Sequence, residues 1–404
     1  MNEVRALVEA FDEACVSRER CALATLVSVE GSSYRRPGAR MLVREGGAST
    51  GTISAGCLEA DVVEHAKRVM RSGEAALVEY DTASTGEEMA WGLGLGCNGV
   101  VRVLVEPLAP GSSYVEALRR SCEAKADDAP ALVATVYRHT PPESAPPAGP
   151  QTGARLLIDC NGNVSREKLG DDAAALIESE VRALRRAAGS AGAHVFEADG
   201  GALKVFIETL LPPVPLVVFG AGHDALPVVE LARGLGWQTE VVDPQARPAS
   251  LSRFASADRV TLARPEEVGT RVNITPRTLA LLMSHNYSHD LELLKLLLAS
   301  PARYIGVVGP RKRTERMLSE LAAKGETLRL EEAGLARLHA PAGLDIGANG
   351  PAEIALSIVA EMRAVLDGRR GGMLRERLGS IHGGPRDGER VHTTEGYSLP
   401  AAVA

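Results

Sequence analysis

The rhythm of apolar and polar positions changes twice along the chain. Over residues 1–108 short apolar runs alternate with amphipathic ones. MNEVRALVEAFDEAC carries its apolar residues at helical spacing, CALATLVSVE and ARMLV flank the turn-rich GSSYRRPG, and LEADVVEHAKRVM is helical again before the strand-like LVEY and GVVRVLVEP. This pattern predicts one N-terminal α/β domain with two Gly-rich loops. Residues 109–213 are less regular: a helix near 112–126, strands at ALVATVY and ARLLID, a Pro/Ala/Gly loop at 141–150, a helix near 170–188 and a closing strand LKVFIETL. They read as a connecting α/β subdomain, and no internal repeat is evident.

From 214 onwards the runs LVVFGAG, TEVVD, LALLMSH and YIGVVG are apolar without alternation and are separated by helical segments. Strands read this way when crossover helices bury both of their faces, so residues 214–382 predict a Rossmann-like, doubly wound parallel sheet. The last long helix, AEIALSIVAEMRAVL, places Ile354, Ile358, Met362 and Val365 on one face. The polar, Gly/Pro-rich residues 383–404 read as a flexible tail.

Composition narrows the class. The 404 residues suffice for two or three domains, and 45% hydrophobic with 24% charged residues is ordinary for a globular protein. The apolar runs are too short to span a bilayer, so no membrane insertion is expected. Six scattered cysteines without a CxxC pair argue against a disulfide scaffold and for a reducing cytoplasm. A net charge of −7 disfavours broad nucleic-acid binding but leaves room for local anion sites.

GAGHDA, Gly220 to Ala225, sits between a strand and a helix, with Asp243 ending the next strand. That is the dinucleotide-binding fingerprint in its proper setting: Gly220 makes the turn, Gly222 lets backbone approach a pyrophosphate, and Ala225 allows close helix packing. Asp243 suits a ribose hydroxyl, and Arg247 suits an added phosphate. A tight turn with no nucleotide is the alternative. Three further loops leave predicted strand ends. VVGPRKRTER offers Arg311, Lys312 and Arg313 to an anion, or simply to solvent. MSHNYSHD carries Ser284, His285, Asn286, His289 and Asp290, where Ser288 or Asp290 could equally cap the next helix. GLDIGANGPAE exposes backbone donors around Gly347 ahead of Pro351, for a ligand or simply for capping the helix.

In the first domain Arg35, Arg36 and Arg40 surround a Gly-rich turn that would hold a phosphate or carboxylate, or merely decorate a hairpin. Cys57 precedes a helix start, a place that favours a thiolate, and Cys97 lies in GLGLGCNGV between Gly96 and Asn98. Inert burial is the usual fate of such a cysteine. No HExxH, GxSxG or paired-cysteine zinc motif is present.

GSSYRRPGARM, GTISAGCLEADVVEHA, YDT, WGLGLGCNGVV, FGAGHDA, MSHNYSHD, YIGVVGPRKRTERM, GLDIGANGPAEIALSI and GSIH occur in this order. Together they resemble the XdhC/CoxI family of accessory proteins for molybdenum hydroxylases such as xanthine dehydrogenase. The resemblance covers roughly residues 1–108 and 214–382. It implies a chaperone that binds the molybdenum cofactor, protects it while a cysteine desulfurase replaces a terminal oxygen by sulfur, and delivers it to an apo molybdenum hydroxylase. On that reading Cys97, or Cys57, ligates molybdenum or relays sulfur. Gly220, Gly222, His223, Asp243, His285, Asn286, Arg311, Lys312, Gly347, Arg36, Arg40, Gly96 and Asn98 then contact the molybdopterin. Whether that molybdopterin is cytidylylated, and whether NAD(P) also binds, stays open. A homodimer is expected because two-fold symmetry is commonest. The contrasting reading is an NAD(P)-dependent oxidoreductase in which GAGHDA and Asp243 hold the nucleotide and MSHNYSHD supplies a proton. A third makes the sheet a partner-docking module.

Overall fold

A computed structural model describes residues 1–31, 33–81, 99–140, 150–186, 192–198, 201–243, 245, 248–323 and 332–376. They form two compact units, one of residues 1–124 and 128–212, the other of 125–127 and the chain from 213. Residues 1–108 and 109–212 thus share one unit.

The first unit runs α1 (Asn2–Ser17), β1 (Cys21–Gly31), β2 (Arg40–Arg44), β3 (Ser49–Gly51), α2 (Glu59–Ser72), β4 (Ala76–Asp81) and β5 (Gly99–Leu108). It continues with α3 (Ser113–Glu123), β6 (Ala131–Thr140), β7 (Arg155–Ile158), β8 (Val164–Glu167), α4 (Asp171–Arg186), β9 (Gly192–Ala198) and β10 (Gly201–Leu210). The strands form two antiparallel sheets ordered β3-β2-β1-β5-β4 and β8-β7-β6-β10-β9. The two orders are the same, shifted by five strands, and each set is preceded by one helix and interrupted by another. The unit is therefore an internal repeat, where the sequence showed none.

The repeat extends to register. Thr25 faces Arg40 across β1 and β2, and Thr135 faces Arg155 across β6 and β7. Leu23 faces Glu106, and Val133 faces Glu208. A β-bulge falls between Leu26 and Ser28 in one copy and opposite Lys204 and Val205 in the other. The turn before β2 is also repeated. Gly38 N donates to Leu26 O at 2.8 Å, and Gly153 N donates to Val136 O at 2.8 Å, with φ of +96° and +87° respectively. Glycine meets that left-handed conformation without strain.

Equivalent residues of the two copies then meet. Val27, Leu104, Tyr137 and Phe206 form one shared apolar cluster. Arg40 of the first copy pairs with Glu208 of the second, and Arg155 of the second pairs with Glu106 of the first, all four side chains less than 10% exposed. Tyr114 bridges the pairs. Its ring lies under the Arg155 guanidinium at 4.2 Å, and its hydroxyl donates to Glu208 and accepts from Arg40.

The second unit is a six-stranded, wholly parallel sheet. Its elements are β11 (Pro215–Phe219), α5 (Leu226–Gly234), β12 (Gln238–Asp243), α6 (Ala249–Arg253), β13 (Arg259–Leu262), α7 (Pro265–Arg271) and β14 (Leu279–Leu282). Then come α8 (Tyr287–Ala299), β15 (Tyr304–Val307), α9 (Arg311–Ala323), α10 (Glu332–Leu335), β16 (Leu338–His339) and α11 (Pro351–Leu366). The strand order β13-β12-β11-β14-β15-β16 is that of a Rossmann fold, as the uninterrupted apolar runs predict. Both faces are buried: one packs on α7, α8 and α9, the other on α5 and α11. The short strands β13 and β16 carry too few apolar residues to stand out in the sequence. Among the described residues no helix is long and apolar enough to cross a membrane.

Candidate functional site

Backbone hydrogen bonds carry the parallel ladder past the strands. Gly220 N donates to Val242 O at 2.9 Å, Met283 N to Phe219 O at 2.9 Å, Val308 N to Leu282 O at 2.9 Å and Ala342 N to Val307 O at 3.0 Å. Four loops therefore leave one edge of the sheet side by side, at the carboxyl ends of the strands. Ligands bind open α/β sheets at this end, beside the point where strand order reverses between β11 and β14.

The glycine loop is built as its motif predicts. Gly220 has φ +133°, and a Cβ there would lie 2.6 Å from the Met283 carbonyl carbon and 2.8 Å from Ser284 N. Only glycine fits between these two loops. Gly222 has ordinary φ, and a Cβ there would strike only the Oδ1 of Asp224. His223 and Asp224 form a short turn ahead of α5, whose first turn accepts Pro227 because an N–H there would have no helical partner and proline has none to lose. His223 is exposed.

Asp224 is the feature that the motif alone does not single out. Its Oδ2 lies 2.6 Å from His285 Nε2, so the ring donates from that nitrogen. His285 has φ +56°, a conformation that costs a non-glycine residue about 1 kcal/mol. Asp224 Oδ1 accepts no hydrogen bond from any described residue, and the carboxylate stands beside the bare Cα of Gly222. Arg253 Nη1 donates to Ala221 O at 2.6 Å, bringing a cation to the same loop.

Asp243 is placed otherwise than a ribose-binding acid requires. It is wholly buried; Ser250 Oγ donates to its Oδ2 at 2.6 Å and Gln245 N to its Oδ1 at 3.0 Å. The acid fastens the β12–α6 turn. Arg247 lies outside the described residues.

Asn286 caps α8, its side chain accepting from His289 N at 3.1 Å, in place of the Ser288 or Asp290 cap. Asp290 instead is buried, accepts from Ser284 Oγ at 2.5 Å and lies 2.8 Å from Arg313 Nη2. That pair ties the end of β14 to the start of α9, so Arg313 is structural. Arg311 contacts Glu315 one turn along at 3.2 Å, while Lys312 is exposed and has no partner among the described residues. Gly347, with φ +72°, faces open space. Glu353 accepts from Asn349 N at 2.8 Å and Gly350 N at 3.0 Å, and this bonding holds its carboxyl below the usual range. Part of the expected backbone donation is thereby met within the chain. Beneath the loop, Glu361 joins Tyr304, His339 and Gly343 N. Burial raises the Glu361 pKa, and the hydrogen bonds from His339 and Tyr304 more than offset this, leaving it lowered.

In the first unit Cys57 is half-buried against the α2 core and carries no disulfide. The turn around it closes on Glu59, which accepts from Ile53 N at 3.3 Å, Ser54 N at 2.8 Å and Leu58 N at 3.2 Å, as well as from the Ser54 hydroxyl. The start of α2 is thus met by the chain's own carboxylate. Arg35 pairs with Glu3 at 2.5 Å, and Arg36 is exposed. Arg40, expected to hold a ligand, is buried; Glu208, Tyr114 and the Gly38 carbonyl take its donors. Burial would lower its pKa, but the Glu208 carboxylate and the hydrogen bonds to Glu208 and Tyr114 reverse that and hold it protonated. Cys97, Gly96 and Asn98 lie outside the described residues.

Two family models fit the chain: the XdhC and CoxI family over residues 14–81 and the XdhC Rossmann domain over 216–362. The chain belongs to the XdhC and CoxI family. A Bacillus subtilis protein, a probable xanthine dehydrogenase subunit, is 28% identical over 352 residues, covering 87% of this chain and 95% of that one. The molybdenum cofactor insertion chaperone PaoD of Escherichia coli is 24% identical over 358 residues, 87% of this chain and 86% of its own. A crystal structure described as a xanthine dehydrogenase from Bacillus halodurans superposes with TM-score 0.69 at 28% identity, over 90% of this chain and 96% of that one. XdhC proteins are thus matched in both units, and the similarity spans the second repeat as well.

Proposed function

We propose that the protein is an accessory chaperone of a molybdenum hydroxylase of the xanthine dehydrogenase kind. It binds the molybdenum cofactor, shields it while a cysteine desulfurase exchanges a terminal oxygen for sulfur, and inserts it into the apo-hydroxylase. The observation that carries this reading is the similarity to a cofactor-insertion chaperone along most of the chain, combined with a Rossmann sheet whose loops gather at the carboxyl ends of its strands.

The residues of the crevice fit such a guest. Lys312 and Arg311, exposed at the start of α9, suit its phosphate. His223, His285 and Gly347 stand on neighbouring loops at the same edge, where the two exposed rings and the open space around Gly347 leave room for a flat bulky group. When bound, the cofactor would bring its molybdenum, and a thiolate from Cys97 or Cys57 would suit that metal as a soft ligand or sulfur relay. A cytoplasmic homodimer belongs to the same proposal.

Asp243 and Asp224 weigh against the oxidoreductase reading. A dinucleotide needs an acid open to its ribose and an uncharged loop under its pyrophosphate, whereas Asp243 is sealed and Asp224 puts a carboxylate at the loop. Anaerobic ultrafiltration of the purified protein with molybdopterin and molybdate tests the proposal. Retention of pterin and molybdenum, with metal retention reduced at least about tenfold in Cys97→Ala or Cys57→Ala, is expected. Passage of both through the membrane with the wild-type protein would contradict it.

A further inference from the structure

We propose that Asp224, held by His285, reads the 2-amino-4-oxopyrimidine edge of the ligand at the strand ends of the second unit. That edge is shared by pterins and guanine, and the choice of a pterin rests on the chaperone reading above.

Four observations lead to this edge. Asp224 occupies the turn where a dinucleotide-binding loop receives phosphate, and its Oδ1 stands against the Cα of Gly222. A fixed carboxylate there repels phosphate oxygens and calls for N–H donors. Its Oδ2 is pinned at 2.6 Å by His285, which fixes the plane of the carboxylate from the end of β14. Oδ1 accepts nothing from the described residues, and the side chain is 31% exposed, so the group is open to a ligand.

The donor that suits a planar carboxylate is a pair of parallel N–H groups. The N3–H and 2-amino group of a pterin present such a pair, as a guanidinium does. Each carboxylate oxygen has two lone pairs, so Oδ2 can accept from His285 and the ligand together. His285 is the positioning residue, and the left-handed backbone at φ +56° is what turns its ring toward the glycine loop. The second acid of a dinucleotide site, Asp243, is buried and spent on Ser250 and Gln245. The crevice is therefore specified for a heterocycle edge rather than for a ribose and pyrophosphate.

Fluorescence titration with pterin and with lumazine, which has an oxygen in place of the 2-amino group, tests this on the full-length protein. The wild-type protein is expected to bind pterin at least about tenfold more tightly than lumazine, since one charge-assisted hydrogen bond is lost. Asp224→Asn should bring the two affinities within about threefold, and His285→Gln should fall between. Guanosine monophosphate should displace pterin only at higher concentration. Equal binding of pterin and lumazine by the wild-type protein, or a preference that survives in Asp224→Asn, would overturn the proposal; guanosine monophosphate displacing pterin with equal ease would overturn the choice of a pterin as the ligand. If Asp224→Asn fails to fold, the wild-type ratio decides alone. Molybdenum retention on the same preparation separates the two claims: retention without pterin preference sinks the role of Asp224 and leaves the chaperone reading, and preference without retention does the reverse.

Discussion

Arg40 and Arg155 hold the same place in two copies of one five-stranded motif, and each pairs with a glutamate of the other copy. The reciprocity matters because it removes Arg40 from the ligand site and gives it a structural task. Breaking such a buried pair strands a charge, which costs about 3–5 kcal/mol. Arg40→Met and Arg155→Met should each lower stability by about that much in urea melts. Arg40→Met combined with Glu208→Leu should recover a large part of the loss. Equal stability of the single variants and wild type would show that the pairs contribute nothing.

The glycine loop separates architecture from binding. Gly220→Ala forces a Cβ into the backbone of Met283 and Ser284 at a φ of +133°, so a loss of about 2–4 kcal/mol is expected. Gly222→Ala meets only the Asp224 side chain and should melt within about 1 kcal/mol of wild type while weakening pterin binding. Thermal melts and titrations of both variants check the contrast.

The basic start of α9 is expected to hold phosphate. Arg311→Ala with Lys312→Ala should weaken molybdopterin binding by about 1–3 kcal/mol and flatten its salt dependence. Dephosphorylated pterin should bind both proteins alike. A double variant with unchanged affinity would place these residues on a merely solvated face.

Acid stability should depend on Glu361. Its carboxyl is held below its ordinary value of 4.5 in the folded chain, so the stabilisation is fully present above that pH. It fades as pH falls from 4.5 through the lower folded value, because the unfolded chain then binds the proton more readily. Glu361→Gln should be less stable than wild type at pH 7, with the gap narrowing below pH 4.5, as read by urea melts across pH. A gap that does not change with pH would contradict the assignment.

Long buried strands and their glycine loops are legible in the sequence because apolar runs and Gly-rich turns are local signals. LVVFGAG and YIGVVG announce a parallel sheet in this way, and Pro351 announces the start of α11. The repeat in the first unit is written there too, in Gly38-Ala39-Arg40 and Gly153-Ala154-Arg155, yet one triplet amid strands of differing composition and loops of unequal length does not reveal it. Asp224 and Asp243 are misweighted for one reason: a residue's partner is a matter of three-dimensional proximity. Nothing in GAGHDA says that His285, 61 residues on, grips Asp224, and nothing in TEVVD says that Ser250 seals Asp243. Arg40 meets the same difficulty, since its partner Glu208 lies 168 residues away.

Native mass spectrometry of the protein purified under anaerobic conditions addresses the central claim most directly. A bound mass equal to molybdopterin, with or without its metal and nucleotide, and its absence after Asp224→Asn together with Lys312→Ala, is the predicted result. A bound NAD(P), or a chain that carries no pterin even when molybdopterin is supplied in excess, would contradict the account.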